Sequence, residues 1–154
     1  MVLRHAKSAW PEGVPDIERP LAGRGRRDAP AAGRWLREHL GEIDLVVCSP
    51  ATRARQTWRL VAGELAPEPE SRSDDRLYGT STEALLTVLR ELPAEARSAV
   101  LVGHNPDLED LVELLTGSAQ QLKTSTIAVL TGSSSWSEAG PGWAELEALS
   151  TPRG

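Results

Sequence analysis

The run Ser98-Ala99-Val100-Leu101-Val102-Gly103 limits this chain more than any other stretch. Four consecutive apolar residues with no polar alternation describe a strand buried on both faces. Such strands belong to parallel sheets covered by helices. Asp44-Leu45-Val46-Val47-Cys48 repeats the pattern, and Met1-Val2-Leu3-Arg4 is a shorter version of it. Each run passes into a polar segment and then, directly or after a loop, into a helical one. The expected helices are Arg26–Leu40, Ala51–Leu65, Thr82–Leu92 and Asp107–Leu115, with Ser49 read as the N-cap of the second and Pro50 as its first helical residue. Thr126–Leu130 and Trp143–Leu149 alternate like two late strands, and the Gly/Ser-rich segment 132–142 joins them as an antiparallel hairpin. Residues 9–25 are broken by Pro11, Gly13, Pro15, Pro20, Gly23 and Gly25 and form a long irregular loop; Ser71–Gly79 has no clear pattern. The strand–helix alternation, with no repeat or linker in residues 1–154, predicts one domain: a three-layer α/β/α sandwich around a mainly parallel sheet.

Composition narrows the function. One cysteine, Cys48, excludes an internal disulfide and a thiolate metal cluster, and His5, His39 and His104 lack metal-ligand spacing. No metal or other cofactor is expected. The amino terminus carries no signal-peptide pattern and no apolar run is long enough to span a bilayer, so a cytoplasmic protein without membrane contact is expected. Charge is uneven: residues 1–60 carry a net +4 and residues 61–154 a net −9. A basic half on an acidic chain suits a local anion site better than a nucleic-acid surface, which needs a broad basic face.

Three strand ends present polar side chains: Arg4-His5, Ser49 with Arg53, and His104. If those strands are parallel neighbours, their carboxyl ends meet on one edge of the sheet, where open α/β folds place their ligands. Two imidazoles and two guanidiniums there supply a nucleophile and cationic donors for a phosphoryl group without a metal. His39, near a helix end, reads as a surface residue.

Arg4-His5-Ala6, then Ser49-Pro50-Ala51-Thr52-Arg53-Ala54-Arg55-Gln56-Thr57, then Val102-Gly103-His104-Asn105-Pro106 resemble, in this order, the histidine phosphatase superfamily. Leu3-Arg4-His5-Ala6-Lys7-Ser8 is most similar to its SixA-type phosphohistidine phosphatase branch, and Arg19-Pro20-Leu21, Gly25-Arg26-Arg27-Asp28-Ala29 and Leu77-Tyr78-Gly79 extend the likeness over residues 2–117. The resemblance implies a phosphoglycerate mutase-like fold. It makes His5 the nucleophile that becomes phosphorylated, with Arg4, Arg53 and His104 as the phosphate pocket. Ser8, Lys7 and Arg19 are candidate second-tier substrate contacts. The implied partner is a protein phosphohistidine or a small phosphorylated molecule. A broad metabolite or nucleotide phosphomonoesterase, and a phosphoprotein-binding module without turnover, are the alternatives.

One departure bears on the substrate. Many relatives carry a Glu two residues after the position of Leu77, as the acid that protonates the leaving group; here that residue is Gly79. Asp74, Asp75, Tyr78 and Glu83 are nearby in sequence, but none is assigned the task. Without a strong acid the leaving group must depart easily, which favours a phosphorylated imidazole over a sugar phosphate. A cysteine-phosphatase reading fails, because the spacing from Cys48 puts Ala54 where the arginine should stand.

Overall fold

The computed structural model describes residues 1–154. Six strands form one sheet in the order β3-β2-β4-β1-β5-β6, where β1 is Val2–Arg4, β2 Leu45–Cys48, β3 Glu70–Ser73, β4 Ala99–Gly103, β5 Ile127–Gly132 and β6 Ala144–Ser150. Strands β1 to β4 run parallel, and β5 with β6 adds an antiparallel hairpin beside β1. The sheet is therefore mixed, and its parallel part is the part that carries the candidate site.

Side-chain alternation along the central strands explains the layers. Leu45, Val47 and Leu101 face one side and pack with Leu85 and Leu89 of helix α3 (Thr82–Arg90) and Leu108, Leu111 and Leu115 of α4 (Asp107–Thr116). Val46, Cys48, Val100 and Val102 face the other, against Ala29 and Leu36 of α1 (Gly23–His39) and Trp58 and Val61 of α2 (Thr52–Ala62). Each such leucine, fully buried, contributes about 1.5–3 kcal/mol. No helix is long and apolar enough to cross a membrane.

Several expectations need correction. Helix α1 begins at Gly23, three residues earlier than the periodicity indicated, because its first turn is Gly/Arg-rich and carries no apolar face. Within that turn Gly25 is required: a Cβ there would lie 2.2 Å from the Lys7 carbonyl oxygen. Strand β3 falls inside the segment without a pattern; all four of its residues are exposed, so it has no buried face to leave a signal. Ser49 is not the N-cap of α2. That helix starts at Thr52 after an extended Ala51, and the Ser49 hydroxyl is committed elsewhere.

Candidate active site

Strands β2, β4 and β1 are neighbours in that order, so the residues that follow them share one edge of the sheet. Main-chain bonds lock the three ends together: the His5 amide donates to the Gly103 carbonyl at 3.0 Å, and the Ser49 amide to the Val102 carbonyl at 2.9 Å. The His5 and His104 rings come within 5.1 Å, centroid to centroid. Arg53 arrives from the first turn of α2, buried to 6 % exposure.

The tautomer of His5 follows from the only hydrogen bond of its ring. Nδ1 lies 2.7 Å from the Ala6 carbonyl, which can only accept, so Nδ1 carries the hydrogen and Nε2 keeps its lone pair. Burial is the main cause that pushes the pKa of His5 down to about 3; the Ala6 carbonyl opposes the shift, and His104, Arg53 and Arg4 add to it. His104 falls to about 4, again chiefly through burial and then through Arg53. Both rings are thus neutral at physiological pH, as an attacking imidazole must be. Burial, rather than the neighbouring arginines, is the larger cause.

His104 Nε2 sits 2.7 Å from the Ser49 hydroxyl, which also accepts the Ala51 amide at 3.2 Å. If the hydroxyl donates to Nε2, the ring's hydrogen sits on Nδ1, which is buried without a partner. That tautomer turns His104 into a donor for an anion. Ser49→Ala removes the constraint, and a loss of about tenfold in kcat/KM is expected, with the vanadate inhibition constant rising in step.

At the site, Nε of Arg4 and Nε of Arg53 are likewise buried N–H groups without a partner. Each guanidinium is anchored through another nitrogen: Arg4 Nη1 donates to the Leu122 carbonyl at 2.9 Å, and Arg53 Nη1 to the Asp16 carbonyl at 2.7 Å. Around them the other motif residues act as struts. The Thr57 hydroxyl accepts the Ala6 amide at 3.0 Å and donates to the Arg53 carbonyl at 2.7 Å, and Gln56 accepts the Leu21 amide at 2.8 Å.

The second-tier candidates separate. Ser8 is buried and accepts from Arg19, which also reaches the Ala9 carbonyl and Asp16. Lys7 is exposed and its side chain makes no hydrogen bond; its main chain does the holding, by accepting the Ala22 amide. Sequence reasoning missed Asp16 and named Tyr78 without a role. The Asp16 carboxylate takes hydrogen bonds from Arg53 at 3.1 Å, Arg19 at 3.1 Å and the Tyr78 hydroxyl at 2.6 Å. Those partners, Tyr78 foremost, hold its pKa at about 2. Gly79 has φ +62°, a left-handed conformation that a Glu would adopt only under strain. Cys48 is a buried thiol with its pKa pushed up to about 12 by burial, unfit as a nucleophile. His39 is exposed and stacks on Trp35.

The family comparison agrees with this geometry. The sequence profile of the histidine phosphatase superfamily (branch 1) matches residues 1–99. The chain belongs to the histidine phosphatase superfamily. An uncharacterized protein of Mycobacterium tuberculosis is 36% identical over 162 residues, which cover 98% of this chain and all of that protein. Among solved structures, a SixA phosphohistidine phosphatase candidate from Nakamurella multipartitia superposes with a TM-score of 0.84 at 32% identity, covering 98% of this chain and 95% of that one. The protein histidine phosphatase SixA complexed with tungstate gives 0.85 at 25% identity, with 98% and 95% covered. This histidine phosphatase is a hydrolase with the phosphoglycerate mutase-like, SixA-like fold.

The depressed histidine pKa values have a consequence for stability. An unfolded chain holds these rings at about the ordinary pKa of 6.5, so below that pH it binds protons that the folded state refuses. Stability is therefore highest above pH 6.5 and is lost as pH falls towards the folded values. The midpoint of thermal unfolding is expected to drop between pH 7 and pH 4, and His5→Ala to shrink that drop. An identical pH dependence in the variant would mean that His5 is not held neutral by burial.

Proposed function

We propose that this histidine phosphatase hydrolyses protein phosphohistidine through a phosphoenzyme intermediate on His5. The observation that carries the reading is the set of three buried, unpartnered N–H donors, on Arg4, Arg53 and His104, gathered with an imidazole whose Nε2 is free. A tetrahedral dianion satisfies all three, and Nε2 is the atom that attacks phosphorus. The attack forms the P–Nε2 bond and breaks the bond to the leaving group; water then hydrolyses the phosphoenzyme. The two arginines neutralise charge on the equatorial oxygens, and the neutral His104 ring donates a hydrogen bond to one of them. Ser8 and Arg19 brace the loop that carries Asp16, and the exposed Lys7 is left to meet substrate from the surface.

Two features favour a protein phosphohistidine over a sugar phosphate. Gly79 leaves the usual acid position empty of a side chain, which suits an easily expelled leaving group. The loop after β1 also carries Trp10, Val14 and Ile17, three of the four most exposed large hydrophobic side chains of this chain. Trp10 is 76% exposed and carries the Arg19 guanidinium 3.4 Å from its ring. Exposed apolar side chains on the loop that carries Asp16 suit contact with a protein surface. The SixA structure named for protein histidine phosphatase activity adds support.

The test compares turnover of a phosphohistidine protein with that of sugar and aryl phosphates, and traps radiolabelled phosphate on the enzyme as an acid-labile adduct. Faster turnover of the phosphoprotein with label on His5 is expected; label elsewhere, or a preference for sugar phosphates, overturns the reading. Trp10→Ala should raise KM for the phosphoprotein several-fold and leave KM for an aryl phosphate nearly unmoved, as expected of a contact at the edge of an interface.

A further inference from the structure

A cleft of about 390 Å³ opens beside the imidazole pair, and Asp16, Arg53, Tyr78, His104 and Asp107 are among its walls. Its charges are unusual for an enzyme that takes a phosphate dianion. Arg53 is its only arginine or lysine, and two carboxylates stand with it. His104, at 9% exposure and with an unpartnered Nδ1, is another wall of the cleft.

Asp16 is held as an anion rather than as an acid. Three donors on three different parts of the chain, Arg19, Arg53 and Tyr78, use three of the roughly four lone-pair directions of its oxygens. Oδ2 takes two of them and Oδ1 takes one, which leaves one acceptor direction on Oδ1. The side chain is 52% exposed, so a substrate can reach that direction.

Resting on the phosphohistidine reading above, we propose that Asp16 selects the leaving group. Its free lone pair accepts the remote ring N–H that a phosphorylated imidazole carries in its protonated, cationic form, and the carboxylates of Asp16 and Asp107 together reject leaving groups that are themselves anionic. The bonding balances without a general acid. His5 Nε2 attacks phosphorus; the substrate P–N bond breaks and its electron pair stays on the departing ring nitrogen. The remote nitrogen keeps its hydrogen throughout, so imidazole leaves as the neutral molecule. The phosphoenzyme then takes water, forming a P–O bond as P–Nε2 breaks, and the water protons pass to phosphate and solvent. An alkoxide or carboxylate-bearing leaving group gains nothing from Asp16 and is repelled by it.

The test measures kcat/KM of the wild type, Asp16→Asn and Asp107→Asn on phosphoimidazole and on two aryl phosphates that differ only in a para carboxylate or a para aminomethyl group. Asp16→Asn is expected to lose about tenfold or more on phosphoimidazole, the scale of one hydrogen bond to a charged group. It should also narrow the wild-type preference for the cationic aryl phosphate over the anionic one. Asp107→Asn should narrow that preference by a smaller factor, a readout that survives if Asp16→Asn folds poorly. A uniform loss on all three substrates makes Asp16 a structural tether, and a uniform gain makes it a plug; either overturns the proposal. A wild type that shows no preference between the two aryl phosphates overturns it as well. If the wild type instead turns over aryl phosphates faster than phosphoimidazole while the charge preference still narrows in the variants, the phosphohistidine reading fails and selection by charge stands.

Discussion

His5→Ala is expected to abolish turnover, by roughly 10⁴-fold or more, because a missing nucleophile leaves only the binding contribution of the pocket. The fold should survive. The peptide on either side of the ring is held by main-chain bonds that do not involve the side chain: His5 amide to Gly103, Ser125 amide to the His5 carbonyl at 3.1 Å, and Ala6 amide to Thr57. The imidazole itself makes one bond, to its own neighbour. Circular dichroism and the unfolding midpoint at pH 8 should therefore match the wild type while incorporation of labelled phosphate falls to background. Full activity in this variant would place the nucleophile elsewhere.

Arg53→Ala is expected to raise the inhibition constants of phosphate and vanadate about a hundredfold, since charge-assisted hydrogen bonds from this guanidinium are worth about 1.5–3 kcal/mol each. A second effect is built into the structure. Arg53 donates to both the carbonyl and the carboxylate of Asp16, so its loss also unfastens the turn at Asp16–Glu18 from α2. Arg53→Lys should not rescue, because a single ammonium cannot serve the phosphate and both Asp16 oxygens as a planar fork does. An inhibition constant within twofold of wild type would remove Arg53 from the pocket.

How much of this was readable beforehand depends on what kind of signal each part leaves. The central strands β2 and β4 are buried on both faces, so their apolar runs announced themselves, and the residues that follow them gave the site its candidates. Strand β3 pairs only with β2 and buries nothing, so its Glu-Ser-Arg-Ser sequence is indistinguishable from loop. Ser49 and Thr57 were visible as members of a motif; their work on His104 and Ala6 was not, because it joins residues 55 and 51 positions apart. Asp16 and Tyr78 lie further still from any local pattern. Their contact spans 62 positions and exists only because the loop after β1 and the turn before α3 meet above Arg53.

The two outer strands of the sheet also govern how the molecule meets its neighbours. On one side β3 is four residues long, fully exposed and carries Glu70 and Arg72; on the other, β6 turns Glu145 and Glu147 to solvent, and its pairing with β5 slips at Val129/Leu130. Brevity, charge and a register break each discourage a foreign strand from adding on. Growth of the sheet from chain to chain is thereby disfavoured at both ends, and a concentrated solution should resist fibrillar association even though the core is rich in leucine.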